Sequence, residues 1–189
     1  MKFNTKNTVI ISMVFFLLIP SVHGAEIEDV VFEDSIEMNG TRLTLRGTGL
    51  FRYRIFIKAY VGALYMLGGI PSENVLSDTP KRLEIEYFHP IKGEDFGSAS
   101  TKVMARNVGP EAFENLKPRL EKMNALYRDV QPGDRYSLDY MPGKGTQLAL
   151  NGQPLGLVEG ADFASALYAM WLGEKPMNPS FKQQLLGTP

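Results

Sequence analysis

The sequence predicts an α+β domain in which helices pack on an antiparallel sheet, and three observations carry that expectation. Several segments alternate apolar and polar residues, among them Leu83, Ile85 and Tyr87 between Glu84 and Glu86, and Tyr136, Leu138 and Tyr140. Other segments change to a helical period, with Phe96, Ser100, Val103 and Asn107 on one stripe and Phe163, Leu167 and Trp171 on another. Two Asn-Gly pairs, Asn39-Gly40 and Asn151-Gly152, suit the positive φ angles of tight hairpin turns.

The chain opens with Lys2 and Lys6, an apolar run from Val9 to Ile19 broken only by Ser12, then Pro20 and a small-residue exit at Val22-His23-Gly24. This pattern reads as a secretory signal peptide over residues 1–24, followed by one domain over 25–189. The apolar run is well short of the roughly 20 residues that span a bilayer, so no membrane span is expected after cleavage. The expected destination is the periplasm.

Of the 20 Lys and Arg residues, only Lys2 and Lys6 fall in the leader, which carries none of the 21 Asp and Glu residues. The remainder therefore has a formal charge of about −3, without the basic excess that a nucleic-acid partner requires. There is no cysteine, and His89 is the one histidine beyond the leader. Disulfides, a Cys/His zinc site and a Cys–His or Ser–His pair are therefore unsupported, and no metal or cofactor is expected. His89, directly before Pro90, reads as a strand-end residue.

After the Asn39-Gly40 hairpin, one long strand is expected over about 51–66. Counted by twos, Tyr53, Ile55, Ile57, Ala59 and Val61 form an apolar face, and Arg52, Arg54, Phe56, Lys58 and Tyr60 a cationic and aromatic one. The second face fits either solvent or a ligand. Gly68, Gly69, Pro71 and Pro80 mark the loop before the strand of Leu83 to Tyr87. Past the stripe of Phe96 to Asn107, Gly109-Pro110 opens a second helix with Phe113, Leu116, Leu120, Met123, Leu126 and Tyr127, interrupted by Pro118 as a kink or new first turn. Strands flank Pro142-Gly143 and Asn151-Gly152, a helix runs from about Asp162 to Leu172 with Gly173 as its stop, and Asn178-Pro179 caps a short last helix. Gly47-Thr48-Gly49 lacks the third glycine of a dinucleotide loop, and Gly143-Lys144-Gly145-Thr146 lacks phosphate-loop spacing; both read as turns. Glu84/Glu86 and Glu94/Asp95 read as solvated carboxylates.

Gly47 and Gly49, Arg52, and the run Phe56-Ile57-Lys58-Ala59-Tyr60-Val61-Gly62-Ala63-Leu64-Tyr65 resemble one strand of the chalcone isomerase family, in the pattern of its bacterial branch. The resemblance continues through Tyr87-Phe88-His89-Pro90-Ile91-Lys92-Gly93-Glu94-Asp95-Phe96, and from Gly133 through Trp171-Leu172-Gly173 to Leu185-Leu186-Gly187. It implies an open-faced β-sandwich, a large antiparallel sheet with helices layered on it.

In the family's enzymes an Arg and a Thr on that strand, and a Tyr and an Asn on the following helix, stabilise an enolate. The resemblance carries the arginine role to Arg52, with Arg54 as competitor, and puts Tyr60 at the threonine position. It puts Phe96 at the tyrosine and Val103 at the asparagine, with Asn107 one turn beyond. Loss of one preorganised donor costs about 3 kcal/mol in the transition state, so two losses argue against efficient cyclisation of a chalcone. The reading that follows is non-catalytic binding of a small amphipathic anion, fatty-acid-like or phenolic, by Arg52, Arg54, Phe56, Tyr60, Phe96, Val103 and Asn107. Family members that bind fatty acids supply this ligand class. The alternatives are an isomerase or intramolecular lyase on another substrate, with Arg52 catalytic, and an envelope interaction module; the sequence names no protein partner.

Overall fold

The computed structural model describes residues 24–54 and 56–188, so the expected leader lies, but for Gly24, outside the described residues. A short hairpin, β1 (Gly24–Ile27) and β2 (Val30–Glu33), precedes an antiparallel meander of seven strands. The strands are β3 (Ser35–Met38), β4 (Thr41–Tyr53), β5 (Ile57–Met66), β6 (Lys81–Tyr87), β7 (Arg135–Met141), β8 (Gly145–Leu150) and β9 (Gln153–Val158). Helices α1 (Gly93–Asn107) and α2 (Pro110–Asn124) join β6 to β7, and α3 (Ala161–Leu172) and α4 (Pro179–Leu185) follow β9. This is the expected α+β arrangement, an antiparallel sheet with helices layered on it.

Both Asn-Gly pairs make hairpins with two central residues at positive φ: Asn39 and Gly40 at 51° and 76°, Asn151 and Gly152 at 50° and 77°. The expected long strand over 51–66 is instead the end of β4, a turn, and β5. Tyr53 pairs with Ile57, and Arg54 takes a left-handed φ of 47°. Alternation alone cannot see such a turn, because Arg52 to Lys58 contains no glycine, proline or asparagine.

The sheet has two unlike faces. Tyr60, Leu64, Leu83, Ile85, Tyr87, Tyr136 and Leu138 meet α1, α2 and α3 in the main core. Behind β4 and β5, Val61, Ala63 and Tyr65 pack with Val30, Phe32 and Leu43 in a second, smaller core. Over β6 to β8 the back face is polar. Arg82 grips Asp139 with two bonds of 2.6 Å, and Arg135 reaches Glu84 at 3.2 Å and Glu86 at 2.7 Å. Glu84 and Glu86 are therefore cross-strand ion-pair partners, not solvated carboxylates; antiparallel register sets Arg82 opposite Asp139 and Glu86 opposite Arg135.

Helix α3 is buried nearly all round, with Phe163, Leu167 and Tyr168 fully enclosed. Helix α2 runs through Pro118 as one element, its Leu116, Leu120 and Met123 anchored in the core. Asn178 caps α4, its side chain accepting from the Phe181 N–H at 3.0 Å. Gly47 and Gly49 lie inside β4 and are not a turn: α4 rests on them, and a Cβ at Gly47 would stand 2.4 Å from the Gln184 carbonyl oxygen. The chain needs glycine there for close approach of the helix.

Lys81 is the fully buried cation of the core. Its Nζ donates to the Ser77 carbonyl at 2.6 Å and lies over the rings of Tyr140 at 5.1 Å and Tyr168 at 5.6 Å. Burial lowers its pKa to about 8, against an opposing pull from Asp78. Between about pH 8 and 10 the unfolded chain then binds more protons here than the folded one, so Lys81 makes stability rise with pH across that window. Buried tyrosines with raised pKa values pull the other way as the pH nears 10, so urea titrations should show the Lys81 contribution as a stability difference between the native chain and Lys81→Met that changes with pH across this window.

Candidate functional site

Where α1 and α3 cross the sheet, the packing leaves a cavity of about 230 Å³. Its floor is the strand row Tyr60, Leu83, Ile85, Tyr87, Tyr136 and Leu138; Ile91, Phe96, Ala99, Ser100, Tyr127, Met170, Trp171 and Met177 complete most of the wall. Asp95, exposed on the first turn of α1, marks the solvent side. The walls are aliphatic and aromatic, with few polar groups, as in ligand cavities generally.

Register places the key side chains. Tyr60 and Tyr87 are direct partners across β5 and β6, with ring centroids 5.7 Å apart. Phe96 packs edge-on to Tyr87 at 5.3 Å and to Tyr136 at 5.4 Å, and Phe51 stacks on Tyr60 at 4.5 Å. The start of α1 is held by a distant carboxylate: Asp129 accepts from the Gly93 N–H at 2.9 Å and pairs with Lys92 at 2.6 Å. These two contacts pull the Asp129 carboxyl below its ordinary range.

Apart from Asp95 at the solvent side and the Trp171 indole N–H, the polar side-chain groups of the cavity are hydroxyls. Trp171 Nε1 donates to the Tyr60 hydroxyl at 3.3 Å, and Ser100 and Tyr127 share a contact of 3.4 Å. The Tyr136 hydroxyl is occupied by the Arg128 backbone, accepting at 2.7 Å and donating at 2.9 Å. Burial pushes the hydroxyls of Tyr60 and Tyr87 far above the usual phenol range, and that of Tyr127 up to about 12. All three are therefore neutral donors at ordinary pH. No lysine or arginine lines the cavity among the described residues.

The residues singled out from the sequence separate into three places. Tyr60 and Phe96 line the cavity. Val103 is buried in the core beside it, and Asn107 ties α1 to the loop before α4, donating to the Lys175 carbonyl at 2.8 Å and accepting from its N–H at 3.1 Å. That loop carries Met177 into the cavity wall. Arg52, Arg54 and Phe56 belong to the β4–β5 hairpin end, where Arg52 lies 3.9 Å from Glu28 and Phe56 is exposed. Arg52 is thus not grouped with Tyr60, because the strand carrying Phe51 against Tyr60 turns its next residue to the other face.

Tyr87, Trp171 and the Ser100–Tyr127 pair were not recognised as site residues from the sequence. Tyr87 and Trp171 follow ordinary core periodicity there; a cluster of tyrosines on adjacent strands is the signal that could have found Tyr87, and no local signal marks Trp171 on α3.

A family model described as chalcone isomerase-like matches residues 24–187. Among solved structures, the chain is similar to a fatty-acid binding protein of Arabidopsis thaliana, with a TM-score of 0.70 and 13% sequence identity, over 87% of this chain and 96% of that one. A search of curated proteins found no match.

Proposed function

Because the chain belongs to the chalcone isomerase-like family, we propose that it is a binding protein for a small amphipathic molecule of the fatty-acid type, held in this cavity without chemistry. The observation that carries the reading is an apolar cavity whose inner polar groups are the neutral Trp171 indole N–H and the hydroxyls of Tyr60, Tyr87 and the Ser100–Tyr127 pair, with the Asp95 carboxylate at the solvent side and no cation in the lining among the described residues. The ligand's chain lies against Phe96, Ile85 and Met170, and its polar end accepts from the tyrosines. The similar structure's fatty-acid ligand class supports this choice.

Proton transfer in catalysis works best with a group whose pKa lies near the operating pH, and burial moves these phenols away from it. Arg52, the residue that a catalytic reading needs as its electrophile, pairs with Glu28 outside the cavity lining. Both observations favour binding over isomerisation. Residues 1–24 are proposed to direct export, with N-terminal sequencing of the protein from its own cells as the check.

The test is a titration with a long-chain fatty acid and the alcohol of equal length. Tyr60→Phe and Tyr87→Phe should each weaken binding about fivefold, the scale of one hydrogen bond. Arg52→Ala should leave affinity unchanged, and the alcohol should bind at least as tightly as the carboxylate. Strong preference for the carboxylate, lost in Arg52→Ala, would contradict the assignment and restore the anion site expected from the sequence.

A further inference from the structure

The tip of the β4–β5 hairpin is the least buried apolar feature among the described residues. Phe56 is 87% exposed, Tyr53 53% and Ile57 43%. Three cations stand among them. Arg52 and Lys58 face each other across the strands and share Glu28, while Arg54 sits 5.4 Å from the centre of the Tyr53 ring. Among the described residues Arg54 has no carboxylate within ion-pair distance. It also occupies a left-handed backbone position that favours glycine, so the turn carries a large cation where the backbone does not ask for one.

We propose that this tip docks on an anionic lipid surface, with Tyr53, Phe56 and Ile57 entering the headgroup boundary and Arg54 meeting lipid phosphates. Aromatic rings at the boundary and cations beside it are the chemistry that such a surface selects. Glu28 and Asp29 on the β1–β2 turn offset part of the charge, which leaves Arg54 as the main unpaired cation. Size favours lipid over a folded protein partner: three side chains on one narrow turn fall far below the roughly 1,000 Å² that a specific protein interface buries. A bilayer accepts an inserted tip without a matching shape. Tyr60, three residues beyond Ile57, lines the cavity, so docking sets its neighbourhood against the lipid. The proposal does not depend on what the cavity holds.

The chain has no cysteine, so Phe56→Cys accepts a single environment-sensitive dye, with Lys144→Cys on the β7–β8 turn as the control position. Vesicles of phosphatidylcholine with phosphatidylglycerol should shift the dye at position 56 to the blue and leave the one at 144 unchanged. Pure phosphatidylcholine should act far more weakly, as should added salt. Arg54→Gly and Arg54→Gln should each weaken the vesicle response about fivefold, the worth of one cation near an anionic surface, while Trp171 fluorescence still reports an unchanged cavity. Arg54→Gly relieves the turn, so loss of folding does not confuse the reading, and Tyr53→Cys serves as a second dye position. The proposal is overturned by a silent dye at both tip positions, by an equal shift at position 144, by a response indifferent to the charge substitutions, or by a tip that responds only to an added protein.

Discussion

Ala99→Phe is expected to abolish ligand uptake, with affinity falling at least about a hundredfold, or nearly 3 kcal/mol, while the chain stays folded. Ala99 projects from α1 into the cavity beside Phe96 and Ser100. A benzyl group there takes up part of a space of about 230 Å³ that the native packing leaves open, and narrows it between Phe96 and Ser100. Overpacking a filled core costs about 1–3 kcal/mol, but here the added ring enters existing room, so the thermal midpoint should move little. Calorimetric titration with a long-chain fatty acid, beside a melting curve, separates the two effects. Full binding in this variant would place the ligand elsewhere on the protein.

Trp171→Ala is expected to lower stability by about 3–5 kcal/mol, a large share of the 5–15 kcal/mol typical of a domain. Trp171 closes the cavity from α3, is nearly buried, and supplies the Nε1 donor to Tyr60. Its removal enlarges an empty space and leaves α3 with less contact to the sheet. Urea denaturation followed by circular dichroism should show the loss, and Trp171→Phe should recover most of it by restoring ring volume. A drop below about 1 kcal/mol in Trp171→Ala would mean that α3 is held in place without this residue.

The sheet and helices were legible because their signals are local. Asn39-Gly40 and Asn151-Gly152 encode two hairpins, and the stripes ending in Asn107 and Trp171 encode α1 and α3. The β4–β5 turn was hidden by a sequence without turn residues, and that error propagated into the site. Joining Arg52 to Tyr60 on one continuous face assumes unbroken alternation; the turn at Arg54 and the lack of a β4 partner for Ala59, between Lys58 and Tyr60, undo it. The role of Glu84 was equally hidden, since its partner Arg135 lies 51 residues away and only strand register brings them together. Tyr60 and Phe96 could be named in advance because the resemblance puts each at a position where the family's enzymes carry a site residue, whereas Tyr87 and Trp171 lie in the resembling runs without such a role. Tyr87 and Trp171 join them through the meeting of β6 with β5 and of α3 with the sheet, which no periodicity encodes.

Trp171 is the sole tryptophan and lines the cavity, so its emission reads occupancy directly. The deciding measurement is a titration of that emission with a long-chain fatty acid, in the native chain and in Ala99→Phe. The account predicts a saturable change with one ligand per chain, absent in Ala99→Phe and preserved in Arg52→Ala. Saturable binding that leaves Trp171 emission unmoved, or that survives Ala99→Phe at full strength, would contradict it.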